Sequence, residues 1–314
     1  MNGGGIVREA RLPFGQRVAE IANAVATYPR TVWRHREVLA NFYERELRAR
    51  FRGTVLGFLW PFALPLFLFL VYYFVFAQLL GAKFGGAEKL GEDESKRWFT
   101  VYLFVGVIVW AGFAESVTRN VNVILENSNL IKKVHFPSEI LPLNVVLASL
   151  TIQSLALLAY LVVAPFLGWN PIGWRLLALP ALFVSQAIFA LGISLGVAAA
   201  NVFVRDTAPI LGIVMTFWQF MTPVFWAPQA IVGFENRYGW VTRWNPMAQL
   251  LDGYRRVLVS PGEPSRRAAD ALVSFPVEEW PWEQCGKVAL AGVVVFVLGY
   301  SIFLVSKHRF ADEL

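Results

Sequence analysis

The residues of this chain that could perform acid–base, metal or phosphate chemistry are few and scattered. Asp206, Asp252, Asp270 and Asp312 lie in different polar segments, which gives no paired acid and base and no shared metal. The three histidines and the single Cys285 lack the spacing of metal ligands. The nucleotide-binding pattern Gly-x-x-x-x-Gly-Lys-Ser/Thr is absent from the sequence. We therefore expect no catalytic residue, no metal ligand and no cofactor bound by this chain.

Glu115 is the one carboxylate that falls within a strongly apolar run. A charge inside the bilayer is costly unless it is paired or serves a coupling ion. Glu115 sits toward the inner end of its run, where its carboxylate can reach lipid headgroups or Arg119 one turn on. A structural pairing is the favoured interpretation, and a proton relay is the alternative.

Aromatic side chains form the other group that could recognise a ligand. The chain has 12 Trp, 9 Tyr and 26 Phe, more than belts at two membrane interfaces require. Sugar rings stack their C–H faces on aromatic planes, so this content suits a carbohydrate path. Lipid contact and helix packing remain the ordinary use of any single one of them.

The elements that must position these residues are membrane-spanning helices. The 314 residues are 56% hydrophobic and 16% charged, a composition that indicates lipid as the main solvent. The pattern predicts an all-α integral membrane protein, with a cytoplasmic segment at residues 1–52 and a transmembrane domain at residues 53–310. The six predicted spans are residues 56–80, 98–120, 140–167, 175–200, 207–226 and 287–306.

The basic residues indicate the orientation of the spans. Ten of the 28 Lys and Arg residues lie in residues 1–52, and Lys132 and Lys133 lie between spans two and three. Both termini are therefore expected in the cytoplasm. Because topology accounts for the basic charge, we expect no nucleic-acid partner. Residues 1–52 also lack the continuous apolar core of a cleavable signal peptide.

A basic amphipathic helix is predicted just before span one. Its apolar face carries Leu39, Phe42, Tyr43 and Leu47. Its other faces carry Arg45, Arg48 and Arg50. Such a helix lies in the headgroup layer and contacts membrane lipid, and a helix packed on another protein is the alternative. We assign no element or role to residues 1–34 from the sequence.

The outer region, residues 227–286, contains a predicted helix that begins at Asn245-Pro246. Its apolar face carries Met247, Leu250, Leu251, Tyr254 and Leu258. Before it, Pro223 and Pro228 break the outer end of span five, which predicts a re-entrant outer hairpin between spans five and six. An outer loop lying flat on the lipid is the alternative.

Three segments carry a resemblance to a known family. They are Arg45-Glu-Leu-Arg-Ala-Arg-Phe-Arg-Gly-Thr-Val-Leu-Gly-Phe-Leu-Trp-Pro61, then Asn129-Leu-Ile-Lys-Lys-Val-His-Phe-Pro-Ser-Glu-Ile-Leu-Pro142, and Val204-Arg-Asp-Thr followed by Trp244-Asn-Pro-Met247. Together they resemble the permease subunits of ABC-2 type exporters, in the branch that exports O-antigen, capsular polysaccharide and teichoic acid. The resemblance covers residues 35–310.

The resemblance implies a permease without its own motor. Two copies of the chain would pair as a homodimer, and two copies of a separate ABC ATPase would carry ATP and Mg. The substrate would be a lipid-linked glycan, and the complex would lie in the bacterial cytoplasmic (inner) membrane. This chain would be a non-catalytic membrane subunit.

The resemblance also implies a coupling helix over residues 126–133 that seats in the ATPase. Its residues are Glu126, Asn127, Leu130, Ile131, Lys132 and Lys133, with Leu130 and Ile131 as the apolar anchors. A plain connecting turn stabilised by Pro137 is the alternative. The interface helix would touch the same partner and hold lipid phosphate through Arg45, Arg48, Arg50 and Arg52.

Spans one and five line the conduit in the resembling family. The candidates for glycan contact are Trp60, Phe62, Tyr72, Tyr73, Phe217, Trp218, Phe225 and Trp226. The pairs Gly53-x-x-x-Gly57 and Gly192-x-x-x-Gly196 permit close helix approach, either between copies or within one chain. Two other functions stay open: a drug or small-lipid exporter of the same superfamily, and an ATP-independent flippase or glycosyltransferase.

Overall fold

Helices make up all the regular structure in the described part of the chain. The computed structural model describes residues 14–51, 59–79, 81, 92–133, 137–167, 173–228, 231, 233–259 and 280–314. The helices are α1 (Phe14–Arg34), α2 (Arg36–Phe51), α3 (Trp60–Tyr72), α4 (Glu92–Asn120), α5 (Val123–Glu126), α6 (Ser128–Lys133), α7 (Ile140–Val163), α8 (Leu179–Phe203), α9 (Thr207–Met221), α10 (Phe234–Arg243), α11 (Pro246–Leu258), α12 (Trp282–Lys307) and α13 (Phe310–Glu313). A π-helical stretch, Tyr73–Leu79, continues α3.

Four of these helical segments are long and apolar enough to cross a membrane. They are Trp98–Asn120, Ile140–Phe166, Trp174–Phe203 and Trp282–Lys307, at the positions predicted for spans two, three, four and six. Shorter apolar helices, Leu66–Leu79 and Thr207–Met221, lie where spans one and five are predicted. The chain is a multi-pass membrane protein, and the total of six spans stays a prediction.

The closest helix pair joins span four (α8) to span six (α12). A Cβ on Gly299 would overlap the Gly192 carbonyl. A Cβ on Gly196 would lie 3.6 Å from the Gly299 Cα, which is ordinary van der Waals contact. Small residues let the two backbones touch, which is how helices associate where lipid removes the hydrophobic driving force. The Gly192-x-x-x-Gly196 pair therefore packs within the chain, while Gly53 and Gly57 lie outside the described residues.

An uncharged polar network lies between the spans. The amides of Gln153 on α7 and Gln186 on α8 exchange hydrogen bonds of 3.0 and 2.7 Å. The Tyr254 hydroxyl of α11 donates to Gln186 Oε1 at 2.8 Å. Gly112 of α4 makes room for it, because a Cβ there would overlap the Gln153 side chain. The network ties an outer helix to spans three and four through buried groups that bond one another, and span two leaves room for it.

Span five is shorter than predicted. The helix ends at Met221, and Thr222 already has extended backbone, so residues 222–226 are not part of the predicted helix 207–226. Pro223 lacks an N–H and cannot continue the helical hydrogen bonds. The chain then runs through a buried stretch that includes Val224 and Phe225. The predicted break is present, and the depth of this stretch in the bilayer stays a prediction.

The predicted outer helix is observed as α11. Asn245 Oδ1 accepts a hydrogen bond from the Met247 N–H at 3.0 Å, the capping bond expected from Asn-Pro. All five residues of its predicted apolar face are fully buried, namely Met247, Leu250, Leu251, Tyr254 and Leu258. This face therefore packs on the spans of its own chain, and the orientation of α11 to the membrane surface stays a prediction.

Helix α1 was not predicted. Its inner face carries Ile21, Val25, Tyr28 and Val32 at helical spacing. Tyr28 is buried and packs edge-on against Phe296 and Tyr300 of span six, with ring centroids 5.1 and 5.0 Å away. The N-terminal segment is therefore packed on the transmembrane domain through its apolar face.

The glycine contact between α8 and α12 predicts a site-specific loss of stability. Gly299→Ala should lower the free energy of unfolding by about 2 kcal/mol, because the added methyl meets backbone that cannot move aside. Gly286→Ala, in the same helix, is the control, since nothing lies within 4 Å of its Cβ position. Thermal unfolding of the purified protein in detergent checks the difference, and equal midpoints for the two variants would contradict it.

Candidate functional site

The interface helix α2 lies against spans two and three. The Tyr43 hydroxyl is 2.7 Å from Thr151 Oγ1 of α7, and Arg50 Nη2 donates to Ser149 Oγ at 3.0 Å. Phe42 is half-buried and packs against the apolar core. The apolar face predicted for this helix therefore contacts the transmembrane domain of its own chain.

Four charged side chains connect α2 to the inner end of span two. Arg50 is 4% exposed and lies 3.3 Å from Glu46 Oε1 and 3.0 Å from Glu115 Oε1. Arg119 Nη2 donates to Glu46 Oε1 at 2.7 Å. We call this group the inner ion network. Glu115 is thus paired as expected, but the expected partner was wrong, because Arg119 pairs with Glu46 and Arg50 pairs with Glu115.

The predicted arginines of the interface helix have different surroundings. Arg45 Nη2 donates to Asn127 Oδ1 at 3.1 Å, and its guanidinium lies 4.5 Å from the Phe42 ring. Arg48 is exposed and pairs with Glu44 one turn away. Arg50 is buried in the inner ion network, so its expected hold on lipid phosphate is wrong for that position. Arg52 lies outside the described residues.

The predicted coupling helix, residues 126–133, is observed as two short helices. Val123–Glu126 forms α5, Ser128–Lys133 forms α6, and Asn127 separates them. The Asn127 side-chain amide donates to the Val123 carbonyl at 2.8 Å, while its oxygen accepts from Arg45. This residue therefore joins two sets that the sequence predicted separately, the coupling segment and the interface helix.

The side chains of the coupling segment divide between its own chain and solvent. Ile131 is half-buried and packs against the apolar core, so only part of its side chain is open to a partner, and its role as an anchor stays a prediction. Leu130 is half-buried, and Glu126 and Lys132 are exposed. The side chain of Lys133 lies outside the described residues. A partner can therefore reach Leu130 and the two charged groups, together with the exposed Asn129.

A cleft of about 470 Å³ opens between α2, the inner end of span two and the start of span three. Its walls carry positive charge from Arg45 and Arg119 and negative charge from Glu46 and Glu126. Apolar side chains, including Val145, line the rest. The cleft adds a concave, polar surface beside the coupling segment.

The predicted conduit residues of span one and the outer hairpin contact each other. Tyr72 and Phe76 pack on Phe225, with ring centroids 4.4 and 5.6 Å away. Phe225 is fully buried, so it is a packing residue in this chain and its predicted glycan contact is not accessible. The Tyr73 hydroxyl accepts a hydrogen bond from Gln78 at 3.0 Å. Trp60 and Phe62 lie on α3, and their side chains lie outside the described residues.

The predicted residues of span five differ in exposure. Phe217 is 67% exposed, whereas Trp218 packs edge-on against Phe113 and donates through Nε1 to Asn245 Oδ1 at 3.0 Å. Trp226 is half-buried and donates to the Phe220 carbonyl at 3.1 Å. Phe217 is therefore the conduit candidate on span five that is open to a ligand, lipid or second chain.

Arg255, a buried arginine in α11, was missed by the sequence reasoning. It is 2% exposed and donates hydrogen bonds to two main-chain carbonyls at the break after span five and to the Tyr102 carbonyl of span two. Helical periodicity gave no signal for it, because position 255 lies beside the apolar face rather than on it. Its neighbour Tyr254 was predicted as buried, and a charged residue next to that face was the available clue.

Comparisons with known proteins place this architecture in one family. A sequence model of the ABC-2 type transporter family matches residues 38–259. An O-antigen export system permease protein RfbA of Myxococcus xanthus is 30% identical over 285 residues, covering 91% of this chain and 98% of the relative. Two proteins of the same name from Klebsiella pneumoniae are 27% and 26% identical, each over 88% of this chain and 95% of the relative.

The inner ion network predicts unequal roles for neighbouring arginines. Arg50→Ala should lower the free energy of unfolding by about 2 kcal/mol, because Glu46 and Glu115 lose a buried partner. Arg48→Ala should cost less than about 0.5 kcal/mol, since both members of its ion pair are exposed. Thermal unfolding of both variants checks this, and a loss for Arg48→Ala as large as that for Arg50→Ala would refute the assignment.

Proposed function

Because this chain belongs to the ABC-2 type transporter family, we propose that it is the permease subunit of an ATP-driven exporter of lipid-linked polysaccharide. The cargo would be a glycan of the O-antigen, capsule or teichoic-acid type, carried across the bacterial cytoplasmic membrane. The observation that carries the proposal is the similarity to O-antigen export permeases over about nine-tenths of the chain.

The motor would be a separate ABC ATPase, since the sequence holds no nucleotide-binding loop of its own. Its docking surface would be the exposed part of the coupling segment, formed by Leu130, Glu126 and Lys132, together with the adjoining cleft. ATP and Mg would bind to that subunit. The hydrogen bond from Arg45 to Asn127 supports this assignment, because it joins the coupling segment to the interface helix.

The inner ion network provides the path by which force would enter the membrane. It fixes α2 to span two through Glu115 and Arg119, and α2 is bound to span three at Ser149. A rigid connection is needed because a conformational change is transmitted only through elements that move as one body. ATP-driven closure of the motor would therefore displace spans two and three.

A second copy of the chain is proposed to complete the conduit. Span five exposes one apolar stripe, made of Ile210, Ile213, Phe217 and Phe220. The π-helical continuation of span one also exposes Phe74. Closed two-fold pairing is the commonest assembly of identical chains, and two such faces would enclose a path lined by aromatic rings. In this arrangement Phe217 is the conduit residue best placed for glycan contact. We also propose that both termini face the cytoplasm.

The coupling assignment predicts a variant that inserts normally but does not transport. Leu130→Asp should abolish export and release the ATPase from the complex, because a carboxylate replaces an apolar side chain at the docking contact. The measurements are the amount of chain in the membrane, the amount of ATPase that copurifies, and polysaccharide at the cell surface.

Asn129→Asp is the matched control for this variant. Asn129 is exposed on the same short helix, and the change adds the same charge without removing an apolar contact. It should retain at least about half of the wild-type export. Full export by Leu130→Asp would remove the coupling role from this segment.

Deletion of the chain in its own bacterium separates the candidate functions. The exporter proposal predicts loss of surface polysaccharide and accumulation of lipid-linked glycan inside the cell, both reversed by the wild-type gene. Unchanged surface glycan with altered sensitivity to drugs would instead favour the small-molecule exporter. Export that continues without any copurifying ATPase would favour a flippase.

A further inference from the structure

Arg255 of α11 holds the main chain at the outer end of span five. Its Nε donates to the Tyr102 carbonyl at 3.2 Å, Nη1 to the Pro223 carbonyl at 2.7 Å, and Nη2 to the Val224 carbonyl at 3.0 Å. The guanidinium also lies over the Tyr102 ring, 3.4 Å from its centroid. One buried side chain therefore connects α11, span two and the chain after span five.

The need for these donors follows from the break in span five. Residues 222–227, which we call the outer segment, follow the last turn of α9 and are not helical. Their carbonyl groups have no helix to bond them, and Val224 and Phe225 are buried away from water. Unbonded buried carbonyls are costly, and an arginine offers five N–H donors in a planar fork.

Span two is shaped to admit this contact. A Cβ on Gly106 would overlap both Arg255 Nη2 and the Val224 carbonyl, so only glycine lets the guanidinium lie there. The Tyr102 hydroxyl, one turn earlier, donates to the Trp226 carbonyl at 3.2 Å. Span two thus binds the outer segment directly and also through Arg255.

The helix that carries Arg255 is itself fastened to the other spans. Tyr160 of span three donates to the Leu258 carbonyl at 2.8 Å. Gln284 of span six donates to Asp252 Oδ2 at 3.0 Å. At the start of α11, the Asn245 amide donates to Thr222 Oγ1 at 2.9 Å. With the bond from Tyr254 to span four, α11 is bound to spans three, four and six and to the outer segment.

We propose that Arg255 is a positioning residue that keeps the outer segment fixed to span two and α11 throughout transport. The conduit then opens along span five and its neighbours, and not by lifting of the outer segment. Withdrawal of the segment would leave a buried guanidinium and several carbonyls without partners, which is a cost that opening elsewhere avoids. The transport part of this inference rests on the proposed function.

Cysteine labelling tests whether the outer segment moves. Val224→Cys is made in a Cys285→Ala background, and spheroplasts are treated from outside with a membrane-impermeant maleimide. The thiol should stay unlabelled with either a working ATPase subunit or one that cannot hydrolyse ATP. Trp240→Cys, at an exposed position of α10, is the control and should be labelled in both. Labelling of Val224→Cys only with the working ATPase would overturn the proposal.

Variants of Arg255 test its positioning role. Arg255→Gln should raise the labelling rate of Val224→Cys by at least about tenfold, because the Pro223 and Val224 carbonyls lose their guanidinium donors. Arg255→Lys should give an intermediate rate, since an ammonium keeps the charge and donors but lacks the planar fork. If the labelling rate of Val224→Cys is the same with Arg, Lys or Gln at position 255, the positioning role of Arg255 is refuted. If Arg255→Gln does not fold, the comparison of Lys with Arg still decides it.

Surface polysaccharide is measured in the same cells, which keeps the two proposals separable. Protected Val224→Cys together with normal surface glycan supports both. Protected Val224→Cys without any dependence of surface glycan on this chain removes the proposed cargo and leaves the fixed outer segment intact. Labelled Val224→Cys with normal export removes the fixed segment and leaves the exporter.

Discussion

Main-chain carbonyls that leave a helix inside a low-dielectric environment must find donors, and at the outer end of span five those donors come from other elements. The helix ends at Met221, and the following buried carbonyls are bonded by Arg255 and by the Tyr102 hydroxyl. This requirement fixes where α11 lies, because Arg255 reaches the carbonyls only when α11 packs against span two. It also requires the glycine at position 106. The order of the outer end follows from hydrogen bonds that a segment buried away from water must obtain from the protein itself.

Charge is used differently at the two ends of span two. At the inner end, Arg50 and Arg119 pair with the carboxylates of Glu46 and Glu115, and Arg119 and Glu115 are partly exposed. At the outer end, the arginine binds carbonyl oxygens and an aromatic ring. The difference has a physical cause. A carboxylate near solvent keeps much of its hydration, whereas a carboxylate beside Arg255 would add a second desolvation cost that carbonyl dipoles do not carry.

Features set by the solvent or by local sequence were predictable. Lipid requires long apolar helices, so long runs of apolar residues in the sequence were enough to locate the four long spans. The start of α11 could also be predicted from local sequence, because its capping residue, Asn245, is directly next to the helix. Features set by distant contacts were not predictable. Glu115 could reach Arg119 by helical spacing, but only tertiary packing brings Arg50 to it. Phe225 was predicted to contact a ligand, but in the structure Tyr72 of span one packs on its ring.

The same distinction applies to the candidate site. The coupling segment was predicted as one helix, but Asn127 divides it because the side chain bonds the Val123 carbonyl and Arg45 instead of pointing into solvent. The periodicity of α1 was present in the sequence, yet a short amphipathic pattern has meaning only with the partner that covers it. That partner is span six, more than two hundred residues away, through Phe296 and Tyr300.

Span two is the element on which both ends converge. Its 23 residues from Trp98 to Asn120 extend roughly 34 Å at 1.5 Å per residue, close to the thickness of a bilayer core. The inner ion network joins one end to α2, which Arg45 connects to the coupling segment, and the contacts of Tyr102 join the other end to the outer segment. A displacement imposed on α2 would therefore reach the other end of span two without bending the helix. Spans one and five also present exposed apolar faces, and relative motion is cheapest where apolar surfaces slide. The conduit of the proposed exporter would thus widen between these two spans and the body built around span two.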